Sequence, residues 1–191
     1  MPRPRSFDEA EVLQCAMLTF WRLGYDATTY RVLEAETGVG VRSMHNTFGE
    51  KEELFVRSLE TYREMAAGLI AQIFDPPGLA AIEMLFVGAS TPAEDKNAIE
   101  NSGCLMVNSV FELAELPPAV DAEIRQYRTM WREAFEAALR ADAVDEPEAR
   151  AEFLVGALWG VLSQIRLARD KSGARSMTDV IVQTVRSWSV Q

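Results

Sequence analysis

The stretch that decides the fold reads Thr28-Thr29-Tyr30-Arg31-Val32-Leu33-Glu34-Ala35-Glu36-Thr37-Gly38-Val39-Gly40-Val41-Arg42-Ser43-Met44-His45-Asn46-Thr47-Phe48-Gly49-Glu50-Lys51. Thr28 or Thr29 caps a short helix that runs to about Thr37. Gly38-Val39-Gly40 then makes a tight turn, and Val41 to about Thr47 forms a second helix of two turns. This spacing lets one short helix brace another in the major groove of DNA, although ordinary helical hairpins with glycine turns share it.

Upstream, Ser6-Phe7-Asp8-Glu9 fits a capping box, with the Ser6 hydroxyl accepting a first-turn amide and Glu9 reaching back. Leu13, Ala16, Met17 and Phe20 follow at i, i+3, i+4 and i+7, a stripe that takes Cys15 into the core, and Gly24 stops the helix. Downstream, Gly49 or Glu50 precedes a long helix. Its apolar stripe is Phe55, Leu59, Tyr62, Ala66, Leu69 and Ile73, and Pro76-Pro77-Gly78 ends it.

The remaining chain also reads as helix. Leu79–Ala89 is one, followed by a polar loop over Ser90–Asn101 that contains Pro92. A helix from about Ser102 to Glu115 stops at Pro117, and Pro118 opens the next, where a missing amide proton costs nothing. Asp142–Pro147 is an acidic link, and Glu148–Lys171 and Met177–Trp188 complete the chain. The pattern predicts an all-α protein of about nine helices with no strand. Residues 1–50 form a helix-turn-helix unit and residues 51–191 a larger helical bundle.

Composition limits the function classes. The 191 residues are 48 % hydrophobic and 25 % charged, enough to bury a core and unlike collagen or disordered chains. Cys15 and Cys104 are too few for a disulfide framework and suit a reducing compartment. Purely apolar runs are only a few residues long, and Asp8, Glu9 and Glu11 interrupt any signal core after Ser6. The expectation is a soluble cytoplasmic globule that makes no membrane contact. Net charge is −10, and residues 1–60 hold 7 Lys/Arg against 10 Asp/Glu. Any DNA contact must therefore come from one locally basic face.

No nucleophile motif, phosphate loop or metal-spaced cluster appears, and the single histidine has no second histidine to pair with. The expectation is no enzyme, no metal and no cofactor.

Two blocks carry a resemblance. Phe20-Trp21-Arg22-Leu23-Gly24-Tyr25-Asp26-Ala27-Thr28-Thr29 has the pattern F-x-x-x-G-Y-x-x-T-T. Thr37-Gly38-Val39 is a T-G-V turn, and Phe48-Gly49-Glu50-Lys51-Glu52-Glu53-Leu54-Phe55 reads F-x-x-K-E-x-L-F. Over about residues 6–56 the chain resembles the DNA-binding domain of the TetR family of bacterial repressors. The resemblance implies a homodimer that binds a palindromic operator in double-stranded DNA and is released by a small-molecule effector.

The residue chemistry fits DNA contact. Thr28 and Thr29 offer hydroxyls at a helix N-terminus, and Lys51 offers a point charge to the same phosphate backbone. Arg42, Ser43, His45 and Asn46 project from the third helix, with Arg42 suited to guanine, Asn46 to adenine and His45 to phosphate. Arg3 and Arg5, with Pro2 and Pro4, form a basic arm. The chain departs from the family pattern at three places. His45 stands where a tyrosine is usual, Gly40 where Ser or Thr is frequent, and Glu34 where the helix crossing favours a small residue.

The resemblance also implies an effector cavity in the C-terminal bundle, which is rich in bulky side chains that suit either a cavity or ordinary core. Candidate lining residues are Phe86, Cys104, Met106, Asn108, Phe111, Tyr127, Trp131 and Trp159, for an apolar or aromatic effector. Gly103-Cys104-Leu105-Met106-Val107-Asn108 is similar to a G-C-L-x-x-N segment in one branch of the family. Cys104 in a helix's first turn is either an electrophile sensor or an inert buried thiol.

Leu154, Leu158, Val161, Leu162 and Ile165 form one apolar face, and Met177, Val180, Ile181, Val185 and Trp188 another. Gly156 and Gly160 allow close helix approach. Two such faces from two chains predict a four-helix dimer interface. A sensor of the same fold with weak or lost DNA binding is the alternative function.

Overall fold

The computed structural model describes residues 7–95 and 97–189. Among them are nine α-helices and no strand. They are α1 (Glu9–Leu23), α2 (Tyr30–Thr37), α3 (Val41–Phe48), α4 (Lys51–Ile73), α5 (Leu79–Ser90), α6 (Leu105–Glu112), α7 (Pro118–Ala141), α8 (Pro147–Ala168) and α9 (Arg175–Arg186). Short 3-10 turns at Ile99–Ser102 and Lys171–Ala174 lead into α6 and α9.

Caps explain most boundaries. Asp8, rather than Ser6, caps α1: its carboxylate accepts from the amides of Ala10 (2.8 Å) and Glu11 (3.4 Å). Ser6 lies outside the described residues. Gly24 closes α1 at φ 85°, and the Glu50/Glu53 pair forms a capping box at the head of α4. That helix ends at Ile73, three residues before the first proline, with Phe74 as its cap.

α6 is shorter than the sequence predicts. Gly103 at φ 77° and an extended Cys104 hold off its start, and Leu113 leaves the helix in an extended conformation. The polar stretch before α6 is not all loop, since Ile99–Ser102 winds into a 3-10 turn.

α1, α2 and α3 form a head seated on the first turns of α4, and α5–α9 form the body. Aromatic rings run through both. Phe20 packs on Phe55 at 4.8 Å, Trp21 meets Tyr62 edge-on at 4.9 Å, and Tyr62 reaches Tyr127 at 5.9 Å. Tyr127, Trp131, Phe135 and Phe86 continue the series into the body. The α4 stripe is buried from Phe55 to Ala66, whereas Leu69 is exposed. A straight helix drifts about 20° per heptad against a seven-residue repeat, so the stripe turns off the core before α4 ends. Cys15 is half-buried rather than in the core.

α8 is long and apolar enough, by composition, to cross a membrane. Here Ala151, Leu154, Leu158, Val161 and Ile165 are buried inside the protein.

Candidate nucleic-acid interface

Three buried side chains, Leu33 of α2 with Met44 and Phe48 of α3, fix the two short helices to the head's core. Thr29 is the N-cap of α2, its hydroxyl accepting from the Val32 amide at 3.3 Å. The turn is tied by Thr37, whose hydroxyl donates to the Leu33 carbonyl and accepts from the Val39 amide. Gly38 sits at φ 70°, the left-handed region that an L side chain enters at a cost.

Arg42, Ser43 and Asn46 are exposed on α3, with Arg42 and Asn46 one helical turn apart. This places a long fork of donors and an amide on one solvent-facing side. His45 is half-buried instead. Its ring lies on Tyr30 at 4.1 Å, and its Nδ1 is 3.8 Å from a Glu50 carboxylate oxygen. Tyr30 in turn donates to the Gly49 carbonyl at 2.7 Å. Burial, and then the Glu50 and Glu53 carboxylates, push its phenol up to about 12, which keeps it a donor.

Lys51 stands at the head of α4 over the Tyr25 ring, 4.1 Å from its centre, and its ammonium donates to the Asp26 carbonyl at 3.4 Å. Partial burial lowers its pKa, offset in part by Asp26.

Thr28 requires a correction. It is fully buried, and its hydroxyl donates to the Gly24 carbonyl at 2.7 Å. It pins the end of α1 and presents nothing to a phosphate. Arg3 and Arg5 lie outside the described residues.

Two residues that the sequence left unassigned act here. Glu34 reaches across the turn, and its carboxylate accepts from the Val41 amide at 3.3 Å, where Gly40 brings no side-chain cap. Glu112, the last residue of α6, accepts from the Tyr25 amide at 3.4 Å and from Arg166 of α8 at 3.1 Å. Arg166 also donates to the Arg22 carbonyl at 3.4 Å, and the Trp21 indole donates to the Gly103 carbonyl at 3.2 Å. The end of α1 is thus fastened to α6 and α8 directly. Both charged side chains are about a third exposed, which limits the pair to roughly 0.2–1 kcal/mol. Glu112→Gln should therefore lower stability by less than about 1 kcal/mol. It should also speed exchange of the Tyr25 amide, read by hydrogen–deuterium exchange.

In the body, Phe86, Cys104, Met106, Tyr127 and Trp131 are all buried in one aromatic interior. Asn108 is buried with its amide donating to the Ser102 carbonyl at 2.9 Å, so it closes the turn before α6. Trp159 is half-buried, and its indole N–H is enclosed without a hydrogen-bond partner among the described residues. Phe111 is a correction: it is 73 % exposed near the end of the short α6 and lines no interior space.

Cys104 is the N-cap of α6, not a first-turn residue, and its thiol meets the Tyr127 hydroxyl at 3.4 Å. Burial pushes the thiol pKa up, the opposite of an activated thiolate. Clefts open elsewhere. One of about 320 Å³ lies between α5 and α9, lined by Ser90, Arg175, Asp179 and Arg186 among others. Another, of about 470 Å³, lies under the head beside Phe48, Glu52, Arg57 and Ala119.

The proposed association faces need correcting too. Leu154, Leu158, Val161, Ile165, Ile181 and Val185 are buried within one chain, so they form no open apolar face. Leu162 and Trp188 are half-buried, and Val180 is exposed. The open stripe of α8 runs through Phe153, Gly156 and Leu167 instead. Gly160 makes room for Met177 of the same chain: a Cβ there would lie 2.6 Å from the Met177 methyl.

Helices of this order and length, with a braced helix pair at one end, form a helix-turn-helix architecture. No protein-family model matches the chain. It is 27 % identical over 171 residues to YezE of Bacillus subtilis (strain 168), an uncharacterized HTH-type transcriptional regulator; the match spans 88 % of this chain and 87 % of YezE. It is 33 % identical over 122 residues to the HTH-type transcriptional repressor ComR of Escherichia coli (strain K12), spanning 59 % of this chain and 54 % of ComR. Among solved structures, a cysteine mutant of the TetR-family regulator CifR, complexed with 26-bp operator DNA, superposes with a TM-score of 0.80 at 24 % identity. That match covers 97 % of this chain and 100 % of the other. The chain has the fold of the TetR family of transcriptional regulators, and the likeness in fold runs over nearly its whole length.

Proposed function

We propose that the chain is a transcriptional repressor of the TetR type, acting in the cytoplasm as a homodimer on a palindromic operator and released by a small-molecule effector. The observation that carries this reading is the exposed row of Arg42, Ser43 and Asn46 on a helix braced by Leu33, Met44 and Phe48. CifR supports it, since a protein of the same fold is seen with its operator. In this reading Arg42 reads a base edge, Asn46 another, and Thr29, His45 and Lys51 approach the backbone. Arg3 and Arg5 form the arm, residues 1–50 are the reading head, and residues 51–191 bind effector and dimerise.

Phe153, Gly156, Leu167 and Val180 are the apolar residues that a second copy would cover. An apolar or aromatic effector would enter among Phe86, Met106, Tyr127 and Trp131, and the enclosed indole N–H of Trp159 is an unused donor in the same domain. It releases DNA only if it binds the DNA-incompetent arrangement more tightly. The contacts of Glu112 and Arg166 with the end of α1 offer a route from body to head.

The test is selection of sites from a random duplex library at near-physiological salt. Enrichment of one palindrome with half-sites about 34–36 Å apart, or a multiple, supports the reading. No enrichment by folded protein supports the alternative, a small-molecule sensor of this fold, which the net charge of −10 favours. On the enriched site, Arg42→Ala should cost about 1–3 kcal/mol and relax selection at one position. Unchanged sequence preference in that variant would remove Arg42 as a reader.

A further inference from the structure

The head of α3 carries an anomaly. Gly40 precedes the helix and supplies no side-chain cap, yet the Val41 amide is not left to solvent. Glu34, from the preceding helix, takes it at 3.3 Å, and a Cβ on Gly40 would lie 3.6 Å from the same carboxylate oxygen. That is ordinary contact, so position 40 has room for a small side chain, yet the amide is served from position 34 instead. A full negative charge is fixed one residue from Arg42 at the positive end of the helix dipole.

We propose that Glu34 is a negative determinant of DNA binding: its carboxylate holds the head of α3 in the free protein and opposes the DNA backbone there. The inference rests on the DNA-binding reading above. A hydroxyl cap would satisfy the same amide without charge, and it could also donate to a phosphate. The carboxylate can do neither. It accepts only, and it repels a phosphate that approaches the reading face.

The repulsion is independent of sequence, because every duplex presents phosphates. Glu34 therefore weakens binding to all DNA, and base contacts from Arg42 and Asn46 must carry a larger share of operator affinity. The consequence is low background binding by a head whose other exposed groups include cations.

The test uses the full chain, a mixed-sequence duplex and the duplex enriched in the selection, with binding measured against salt. Glu34→Gln keeps a group able to accept from Val41 and removes the charge. Glu34→Ala with Gly40→Ser replaces the carboxylate by a hydroxyl cap. Both should bind the mixed-sequence duplex tighter by ~3- to 10-fold at low salt, with a smaller or equal gain on the enriched site. The gain should shrink as salt rises.

Unchanged or weaker binding by Glu34→Gln, with helix content intact, makes Glu34 a structural cap only and overturns the proposal. If the original chain and both variants bind no duplex even at low salt, the DNA-binding reading itself fails, and the proposal with it. Binding by the original chain without a gain in the variants overturns this proposal alone.

Discussion

Gly103→Ala should be among the most destabilising single substitutions outside the large core side chains. Gly103 lies at φ 77°, and a Cβ there would sit 2.6 Å from the Leu162 carbonyl oxygen, a backbone atom within α8. The left-handed conformation costs a non-glycine residue roughly 1–2 kcal/mol, and overpacking typically adds about 1–3 kcal/mol. The neighbour cannot step aside as a flexible side-chain end would. The same residue's carbonyl accepts from the Trp21 indole, so any shift is felt in the head as well. A loss of about 2–5 kcal/mol, at ~2–4 °C per kcal/mol for a chain of this size, lowers Tm by roughly 5–20 °C. Gly68, inside α4 with open space around it, is the contrast: Gly68→Ala should stabilise by about 0.5–1 kcal/mol. Thermal unfolding of the two variants checks both signs.

The second large effect is expected at the joint between α4 and α7. The Arg63 guanidinium donates to Glu123 at 2.8 Å, and the Glu123 side chain is only 8 % exposed. The Gln126 amide supplies its other contact, at 3.2 Å. Arg63→Ala leaves a buried carboxylate with one neutral partner, and breaking such a pair costs about 3–5 kcal/mol. Retention of Gln126 and the partial exposure of Arg63 place the expected loss near the lower end, ~3 kcal/mol. Replacing both partners, Arg63→Met with Glu123→Leu, should recover most of that loss, because no charge is then stranded. Denaturant unfolding of Arg63→Met, Glu123→Leu and the double variant, beside the original chain and Arg63→Ala, gives the coupling energy directly. If Arg63→Ala costs nothing measurable, Glu123 reaches solvent by another path and the joint is not held by this pair.

The sequence made the helix-turn-helix head legible for local reasons. Gly24, Gly38 and Gly49 mark chain reversals at positive φ, Thr29 caps α2, and Pro118 opens α7; each is decided within a few residues. What escaped depends on distant neighbours. An apolar residue on α8 looks the same whether its face meets α7 or a second chain. Leu154, Leu158 and Val161 were therefore open to either reading, and the structure buries them within the chain.

Phe111 fails for a related reason. It lies in the last turn of α6, one residue before Glu112 ends the helix, and its side chain is left open to solvent. Glu34 sits seven residues from the amide it caps, across a turn, so no spacing rule for a single helix finds it. Its one signal was the unusual residue type at a helix crossing, paired with glycine at position 40.

The single imidazole of the chain has a practical consequence. His45 is the only histidine in 191 residues, and it sits on α3 against the face of Tyr30, 4.1 Å away. Its carbon-bound protons lie in the ring-current field of that phenol. Unlabelled protein therefore contains a built-in magnetic reporter on the helix proposed to read DNA. An operator duplex and a mixed-sequence duplex can be compared through two proton resonances. A compound entering the body will register there only if its effect travels as far as the head.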